Sequence, residues 1–322
     1  MKTQVFIWLF LLSQHSTFSQ PNCSSASTNY PPINDLGVNF WRGKQGGLYP
    51  NGLNRIPAAH LKEGMRIATQ EIKPLDRAGN FDSVNGKIVL LSIGMSNTTM
   101  IFSTFMHVAF CNSSSLNPQL KIIDGAQGAQ ALDAVLDTNS AYWRHVSIQL
   151  LQNGASKNQI QIIWFKQAEP LPTDTSFPGY ANGLKIRFEK AMTILKIKFP
   201  NLKQCYVSSR IYAGYASTKL NPEPFAYYSG WAVKWMIEDQ VNGDTSLRYS
   251  GKDPAAAWLA WGPYTWADGA KKRSDGLTWN CTMDFMEDGT HPTDAARLKV
   301  ANMLFDFFKN SETTKTWFAK NR

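Results

Sequence analysis

Short apolar runs alternate with amphipathic segments from residue 87 to the C-terminus. The first run, at residues 88–93, is apolar except for Ser92 and ends at Gly94. Runs of this kind are typical of strands buried on both faces of a sheet. Strands that alternate with helices predict an α/β fold with a mainly parallel sheet covered on both sides. The predicted strands are residues 88–93, 120–123, 159–165 and 204–208, and the predicted helices are residues 127–136, 183–199, 225–240 and 292–308.

The segment before this alternating region has a different composition. Residues 20–85 are rich in Asn, Gly and Pro and contain one predicted helix near residues 57–70. We expect residues 20–85 to form a loop-rich N-terminal extension that packs on a main domain of residues 86–322.

Residues 1–19 have the features of a secretory signal peptide. Lys2 precedes a short apolar run, and small side chains stand at the two positions that a signal peptidase reads. The run is too short to span a bilayer. We predict cleavage near Ser19 and Gln20 and export to the periplasm or the cell exterior, with no membrane anchor.

The charge balance is basic. There are 33 Lys and Arg against 24 Asp and Glu, a net charge of +9 that becomes +8 once the leader and its Lys2 are removed. A basic surface favours anionic partners in general. The basic residues are scattered, however, and form no nucleic-acid-binding motif, so we expect no nucleic-acid partner.

Four cysteines remain after export: Cys23, Cys111, Cys205 and Cys281. Cysteines of exported proteins usually pair, and four of them allow three connectivities. The alternative is that some are buried thiols. Their spacing matches no zinc motif, so the sequence predicts neither a metal nor another cofactor.

A serine follows the first predicted strand, in the order Gly-Met-Ser-Asn-Thr at residues 94–98. In a parallel sheet this position is at the carboxyl edge, where ligands bind. A tight strand-to-helix turn would expose the hydroxyl of Ser96 and direct a helix N-terminus at it. Taken alone, a helix cap explains these residues at least as well.

Two further loops carry candidate chemistry. The second strand is followed by Gly125 and Gly128, which allow close backbone approach to a ligand or simply form a turn. Near the C-terminus, Asp288 precedes His291 by three residues in Asp-Gly-Thr-His-Pro. A histidine can transfer the proton of a serine hydroxyl, and a carboxylate can fix the tautomer of that histidine. The alternative for this last segment is a solvent-facing loop with a capping aspartate.

Taken together, the three segments resemble the motifs of SGNH/GDSL hydrolases, over roughly residues 87–309. The resemblance implies a three-layer α/β/α, flavodoxin-like fold and hydrolysis of acyl esters, often acetyl esters on carbohydrates or lipids. It also implies that Ser96 is the nucleophile, His291 the general base and Asp288 its orienting acid. Gly128 matches the oxyanion-hole glycine of the family, and the N–H of Ser96 would be a second donor.

Two positions depart from the family pattern. Met95 replaces the usual Asp of the first block, which is not the triad acid. The Asn that usually follows the third strand is missing. Gln167 is the closest chemical substitute because its amide can donate the same hydrogen bond. Lys166 could instead place a positive charge there, or be an ordinary solvated lysine.

Substrate-contacting residues are predicted around the same edge. They are Asn97, Arg210, Tyr212, Trp261 and Trp266. Arg210 follows the fourth strand and could bind a carboxylate or sulfate, or form a salt bridge with Glu223 or Glu169. The Trp-rich region could bind sugar rings or form a hydrophobic cluster under long loops.

The leading hypothesis is thus an exported serine esterase acting on a small-molecule or polysaccharide ester. The first alternative is a non-catalytic carbohydrate-binding protein on a degenerate scaffold, motivated by the missing Asn and by the aromatic loops. The second is an acyltransferase, in which a sugar hydroxyl replaces water.

Overall fold

A five-stranded parallel sheet forms the centre of the protein. The computed structural model describes residues 21–24 and 27–320, and the predicted signal peptide lies outside these residues. The strand order is β4-β3-β5-β6-β7, and every neighbouring pair is parallel. The strands are β1 (Phe40–Trp41), β2 (Lys44–Gln45), β3 (Ile88–Gly94), β4 (Leu120–Asp124), β5 (Ile160–Lys166), β6 (Gln204–Val207) and β7 (Trp258–Trp261).

Successive side chains of β5 point to opposite faces of the sheet and meet different helices. Trp164 stacks on Phe102 with ring centroids 5.6 Å apart. Phe165 meets Phe188 edge to face at 5.7 Å. Strand side chains alternate between faces, so these two contacts define two helical layers, one on each side of the sheet. The predicted three-layer α/β/α fold is therefore confirmed.

Helices form the two layers on either side of the sheet. They are α1 (Ile33–Leu36), α2 (Ala58–Arg66), α3 (Ser96–Cys111), α4 (Leu132–Leu136), α5 (Ala141–Gln152), α6 (Gly179–Lys198), α7 (Phe225–Val241), α8 (Cys281–Asp284), α9 (Asp294–Asn310) and α10 (Lys315–Phe318). The layer on the Trp164 face includes α3 and α9, which pack on each other, and the opposite layer includes α6 and α7.

All four predicted strands are present, and two of the predicted helices begin later in the chain than expected. The predicted helix at residues 127–136 is helical only over α4, because residues 125–131 form a loop at the sheet edge. Helix α9 begins two residues after Pro292, with Thr293 as its N-cap, whose side chain accepts a hydrogen bond from the N–H of Ala296. Strand β7 and helix α5 had not been predicted.

Residues 27–87 contribute to the same hydrophobic core as the sheet. Ile33, Tyr49 and Ile67 are all buried. Helix α2 approaches β7 so closely that a Cβ on Gly64 would lie 2.3 Å from the Trp258 ring. Glycine at this position therefore allows the helix to lie against the indole.

One disulfide joins the N-terminal segment to the C-terminal part of the chain. Cys23 and Cys281 are bonded, with their Cα atoms 5.7 Å apart. The expectation that all four cysteines pair is wrong, because Cys111 is exposed at the end of α3 and Cys205 is buried within β6. A disulfide is typical of exported proteins. Within the described ranges, no helix has the length and apolarity needed to cross a membrane.

Candidate active site

Ser96 is the first residue of α3, directly after the tight turn that ends β3. The helix begins here because the N–H groups of Thr98 and Thr99 donate to the carbonyl of Met95, at 2.9 and 3.0 Å. Gly94 makes the turn possible, since a Cβ there would lie 2.4 Å from the carbonyl oxygen of Lys166. The hydroxyl of Ser96 therefore stands at the carboxyl edge of the sheet, at a helix N-terminus.

His291 and Asp288 lie on one tightly folded loop between α8 and α9. Gly289 has φ +62°, and a Cβ there would overlap the carbonyl oxygen of Tyr215. No other residue fits this position without moving the backbone. The N–H of Met286 donates to the carbonyl of His291 at 2.8 Å, which closes the loop.

The two loops bring the side chains of Ser96, His291 and Asp288 into hydrogen-bonding contact. His291 Nε2 is 2.8 Å from Ser96 Oγ. The other ring nitrogen, Nδ1, is hydrogen-bonded to Asp288 Oδ2. Asp288 Oδ1 accepts the N–H groups of Thr290 and His291, at 3.0 and 2.9 Å. This is the arrangement in which a histidine removes the proton of a serine hydroxyl.

Asp288 is held in its ionised form. Partial burial alone would raise its pKa, but the hydrogen bonds from the ring and N–H of His291 and the N–H of Thr290 outweigh burial and lower the pKa to about 2. A carboxylate that stays charged can stabilise an imidazolium on His291.

Gly128 lies beside Ser96, where the resemblance places an oxyanion-hole glycine. A Cβ on Gly128 would be 4.0 Å from the Ser96 Cβ. Among the residues that the structure describes, the N–H of Gly128 makes no hydrogen bond to the backbone or to a side chain. Gly128 and Ser96 also line the same cavity, so this N–H has no partner that would compete with a ligand there.

Asp124 and Ser92 support this loop, and sequence reasoning missed both. Ser92 Oγ, hydrogen-bonded to Asp124, accepts the N–H groups of Gly125 and Ala126 at 3.1 and 3.2 Å. Asp124 also accepts the hydroxyl of Thr99 in the first turn of α3. The only sequence signal was a serine within an apolar strand and an aspartate at the end of the next strand.

The two candidates for the missing oxyanion donor are placed differently from expectation. The Gln167 amide donates to the carbonyl of Gln130 at 3.0 Å, so it holds the loop after Gly128 rather than facing Ser96. Lys166 is not a solvated lysine. Its side chain is completely buried, and its Nζ has no hydrogen-bond partner within the described residues. Burial and the nearby charge of Arg210 lower the pKa of Lys166 well below its usual value.

Two cavities meet at Ser96 and His291. The larger, about 640 Å³, has Met100, Met286 and Gly128 among its lining residues. The smaller, about 360 Å³, extends towards Arg210 and has Ala168 and Leu171 among its lining residues. Two cavities that share Ser96 and His291 provide room for the two halves of an ester. No cluster of His, Cys, Asp or Glu suited to a metal ion occurs in the described part of the chain.

Comparison with known proteins gives similarity only at the level of folds. No protein-family model matches the chain. No curated protein matches it either. Solved structures that resemble it include a family 3 carbohydrate esterase of Clostridium thermocellum, with TM-score 0.42, 10% identity and coverage of 69% of this chain and 94% of the esterase. Another is the periplasmic domain of a lipopolysaccharide acetyltransferase of Salmonella ser. Paratyphi A, with TM-score 0.38, 11% identity and coverage of 78% and 95%.

The predicted aromatic substrate contacts are packing residues. Trp266 is completely buried and donates its indole N–H to Glu223 at 2.8 Å. Trp261 ends β7 and donates to the carbonyl of Leu48 at 2.7 Å, beside a cavity that Ser96 does not line. Tyr212 is buried, 4.9 Å from the ring of Tyr215. The Trp-rich region is therefore a hydrophobic cluster under long loops, and not a platform for sugar rings.

The other two predicted contacts lie next to the catalytic loops. Asn97 is completely buried and donates its amide to the carbonyl of Thr290 at 3.2 Å, so it links α3 to the His291 loop. Arg210 lines the smaller cavity together with Ser96 and His291. The alternative role, a salt bridge to Glu223 or Glu169, is not formed within the described residues.

Proposed function

We propose that this chain is an exported serine esterase that hydrolyses acyl esters, acetyl esters in particular, on a small molecule or a polysaccharide. The observation that carries the proposal is the 2.8 Å contact between Ser96 Oγ and His291 Nε2, with His291 Nδ1 bound to Asp288. The shared position of Ser96 and His291 between two cavities supports an ester substrate rather than a simple ligand.

The chemistry follows from this arrangement. His291 Nε2 takes the hydroxyl proton while Ser96 Oγ forms a bond to the acyl carbon. The negative charge that develops on the acyl oxygen faces the N–H groups of Gly128 and Ser96. His291 then gives the proton to the alcohol oxygen as the C–O bond breaks, which leaves an acyl group on Ser96. A water molecule, activated by the same histidine, releases the acid.

The test is hydrolysis of p-nitrophenyl acetate and of an acetylated oligosaccharide by the purified chain. We expect Ser96→Ala to abolish turnover, and Ser103→Ala, an exposed serine on the same helix, to leave it unchanged. Equal rates for wild type and Ser96→Ala would contradict the proposal. Transfer of the acetyl group to an added sugar, in preference to water, would identify an acyltransferase instead.

A further inference from the structure

Arg210 is a buried arginine whose side chain lacks partners. It follows β6 and is 2 % exposed, and its Nε and Nη2 make no hydrogen bond within the part of the chain that the structure describes. It nevertheless lines the cavity of about 360 Å³ that reaches Ser96 and His291. A buried guanidinium group with unpaired nitrogens therefore belongs to a residue of the cavity wall next to the nucleophile.

The acids near Arg210 are already bound to other groups. Glu223 accepts the N–H groups of Ala213 and Tyr227, at 3.0 and 2.9 Å, and the indole of Trp266. Glu169, which also lines the cavity, is paired with Arg187. Neither forms an ion pair with Arg210.

A second buried arginine shows how a structural guanidinium is satisfied in this protein. Arg273 is 4 % exposed and donates to the carbonyls of Tyr264 and Trp266, at 2.8 and 2.6 Å, and to the carboxylate of Asp275. All three nitrogens of the Arg273 guanidinium group therefore bond to other residues of the folded chain. Arg210 is buried to a similar extent, but its Nε and Nη2 make no such hydrogen bonds within the described residues.

An arginine placed in this way is suited to an anionic group. Burial lowers the pKa of Arg210, but only to about 10, so the group stays charged at neutral pH. A buried charge without a partner is costly, and a carboxylate bound to the planar fork removes that cost with two parallel hydrogen bonds. Asn221 lines the same cavity, and its buried Oδ1 also lacks a partner within the described residues.

We propose that Arg210 binds a carboxylate of the substrate, so that the ester cleaved at Ser96 carries a carboxylate on its acyl part or on its alcohol part. The statement that the bound ester is cleaved rests on the proposed esterase function. Binding of the carboxylate does not depend on turnover and can be measured separately.

Binding is measured by calorimetry on the Ser96→Ala chain, which cannot form an acyl-enzyme. Ethyl hydrogen succinate carries the carboxylate on the acyl side, and ethyl succinamate is its neutral counterpart. An O-acetylated glucuronic acid carries it on the alcohol side, and the corresponding O-acetylated glucose is neutral. We expect the acid of at least one pair to bind ten-fold or more tightly than its neutral counterpart. The pair that shows this preference identifies the side of the ester.

The preference for the acid over its neutral counterpart must depend on the side chain of Arg210. Arg210→Gln in the same background should abolish it, and Arg210→Lys should retain part of it. Arg273→Gln, the matched buried arginine, should lower the melting temperature and leave the preference as it was. Equal binding of acid and neutral compounds by the parent chain would overturn the inference, as would an unchanged preference in a folded Arg210→Gln chain. If the acid binds through Arg210 and no ester is hydrolysed, the inference stands and the proposed function fails.

Discussion

Asn97, the residue after the candidate nucleophile, donates its side-chain amide to the carbonyl of Thr290, the residue before the candidate base. These two residues are 193 positions apart in the sequence. Their hydrogen bond, at 3.2 Å, connects the first turn of α3 with the loop that carries His291. The spacing between Ser96 Oγ and His291 Nε2 therefore depends on a buried bond that does not take part in the chemistry.

We expect Asn97→Ala to reduce kcat/KM for an acetyl ester by ~10–100-fold, because a displaced catalytic group loses productive geometry. The loss should fall mainly on kcat. Leaving the Thr290 carbonyl unpaired should also lower the free energy of unfolding by about 1–3 kcal/mol.

Asn117→Ala is the matched control. The Asn117 amide donates to the carbonyl of Trp317, also at 3.2 Å, and none of the residues around Ser96 takes part. This variant should lower stability and keep kcat. An Asn97→Ala chain that loses stability but keeps its kcat would show that Asn97 has only a structural role.

The disulfide predicts a specific pattern of thiol reactivity. In the native protein, one thiol should react with a thiol reagent, that of the exposed Cys111. The buried Cys205 should react only after unfolding, and Cys23 and Cys281 only after reduction. Ellman titration of the native, unfolded and reduced chain measures these steps.

The same bond should stabilise the fold. Replacing both Cys23 and Cys281 by Ser should lower the free energy of unfolding by about 2–4 kcal/mol, since the open chain gains conformational freedom when unfolded. Cys111→Ser should have no such effect. Equal unfolding curves for the double variant and the wild type would show that the disulfide does not form in solution.

Glu223 should make stability fall as the pH rises towards neutrality. Burial raises its pKa from 4.5 to about 7, and the hydrogen bonds from Trp266, Ala213 and Tyr227 only partly oppose this. The folded state therefore holds this proton more tightly than the unfolded state, and stability decreases between about pH 4.5 and 7. The effect of Glu223 on stability levels off about one pH unit above its folded-state pKa, where the group is ionised in both states.

Glu223→Gln removes the titrating group, so its free energy of unfolding should vary less with pH over this range than that of the wild type. Urea unfolding at several pH values measures the difference. Glu312→Gln, at an exposed position, is the control and should follow the wild-type slope. A Glu223→Gln slope that matches the wild type would mean that Glu223 titrates normally.

The sheet and the three motif segments could be predicted because they depend on local sequence. Ser96, Gly128 and His291 all follow signals within a few residues: an apolar run, a pair of glycines, an Asp-Gly-x-His order. The carboxyl edge of a parallel sheet then brings such segments together. Strand β7 was missed because its four residues lie within a Trp- and Gly-rich stretch that has no clear period.

Local sequence does not predict the direction in which a side chain points, and so it does not predict the hydrogen-bond partner of that side chain. Gln167 has the chemistry of an oxyanion donor, but its amide is bound to Gln130, a residue of a different loop. Trp266 and Trp261 are buried because distant segments supply acceptors for their indoles. For Arg210 the sequence left both an ion pair and an anion-binding role open, and only the tertiary structure shows that Glu223 and Glu169 are bound to other groups.

The most direct test of the proposed triad is the site and rate of labelling by a fluorophosphonate, which reacts with activated serine hydroxyls. We expect one label per chain, on the peptide that contains Ser96, at a rate that falls by ~10³-fold or more in His291→Ala and in Asp288→Asn. Asp294→Asn, on the exposed surface of α9, should react like the wild type. Labelling at another serine, or labelling of Ser96 at the same rate without His291, would contradict the claim that these side chains act together.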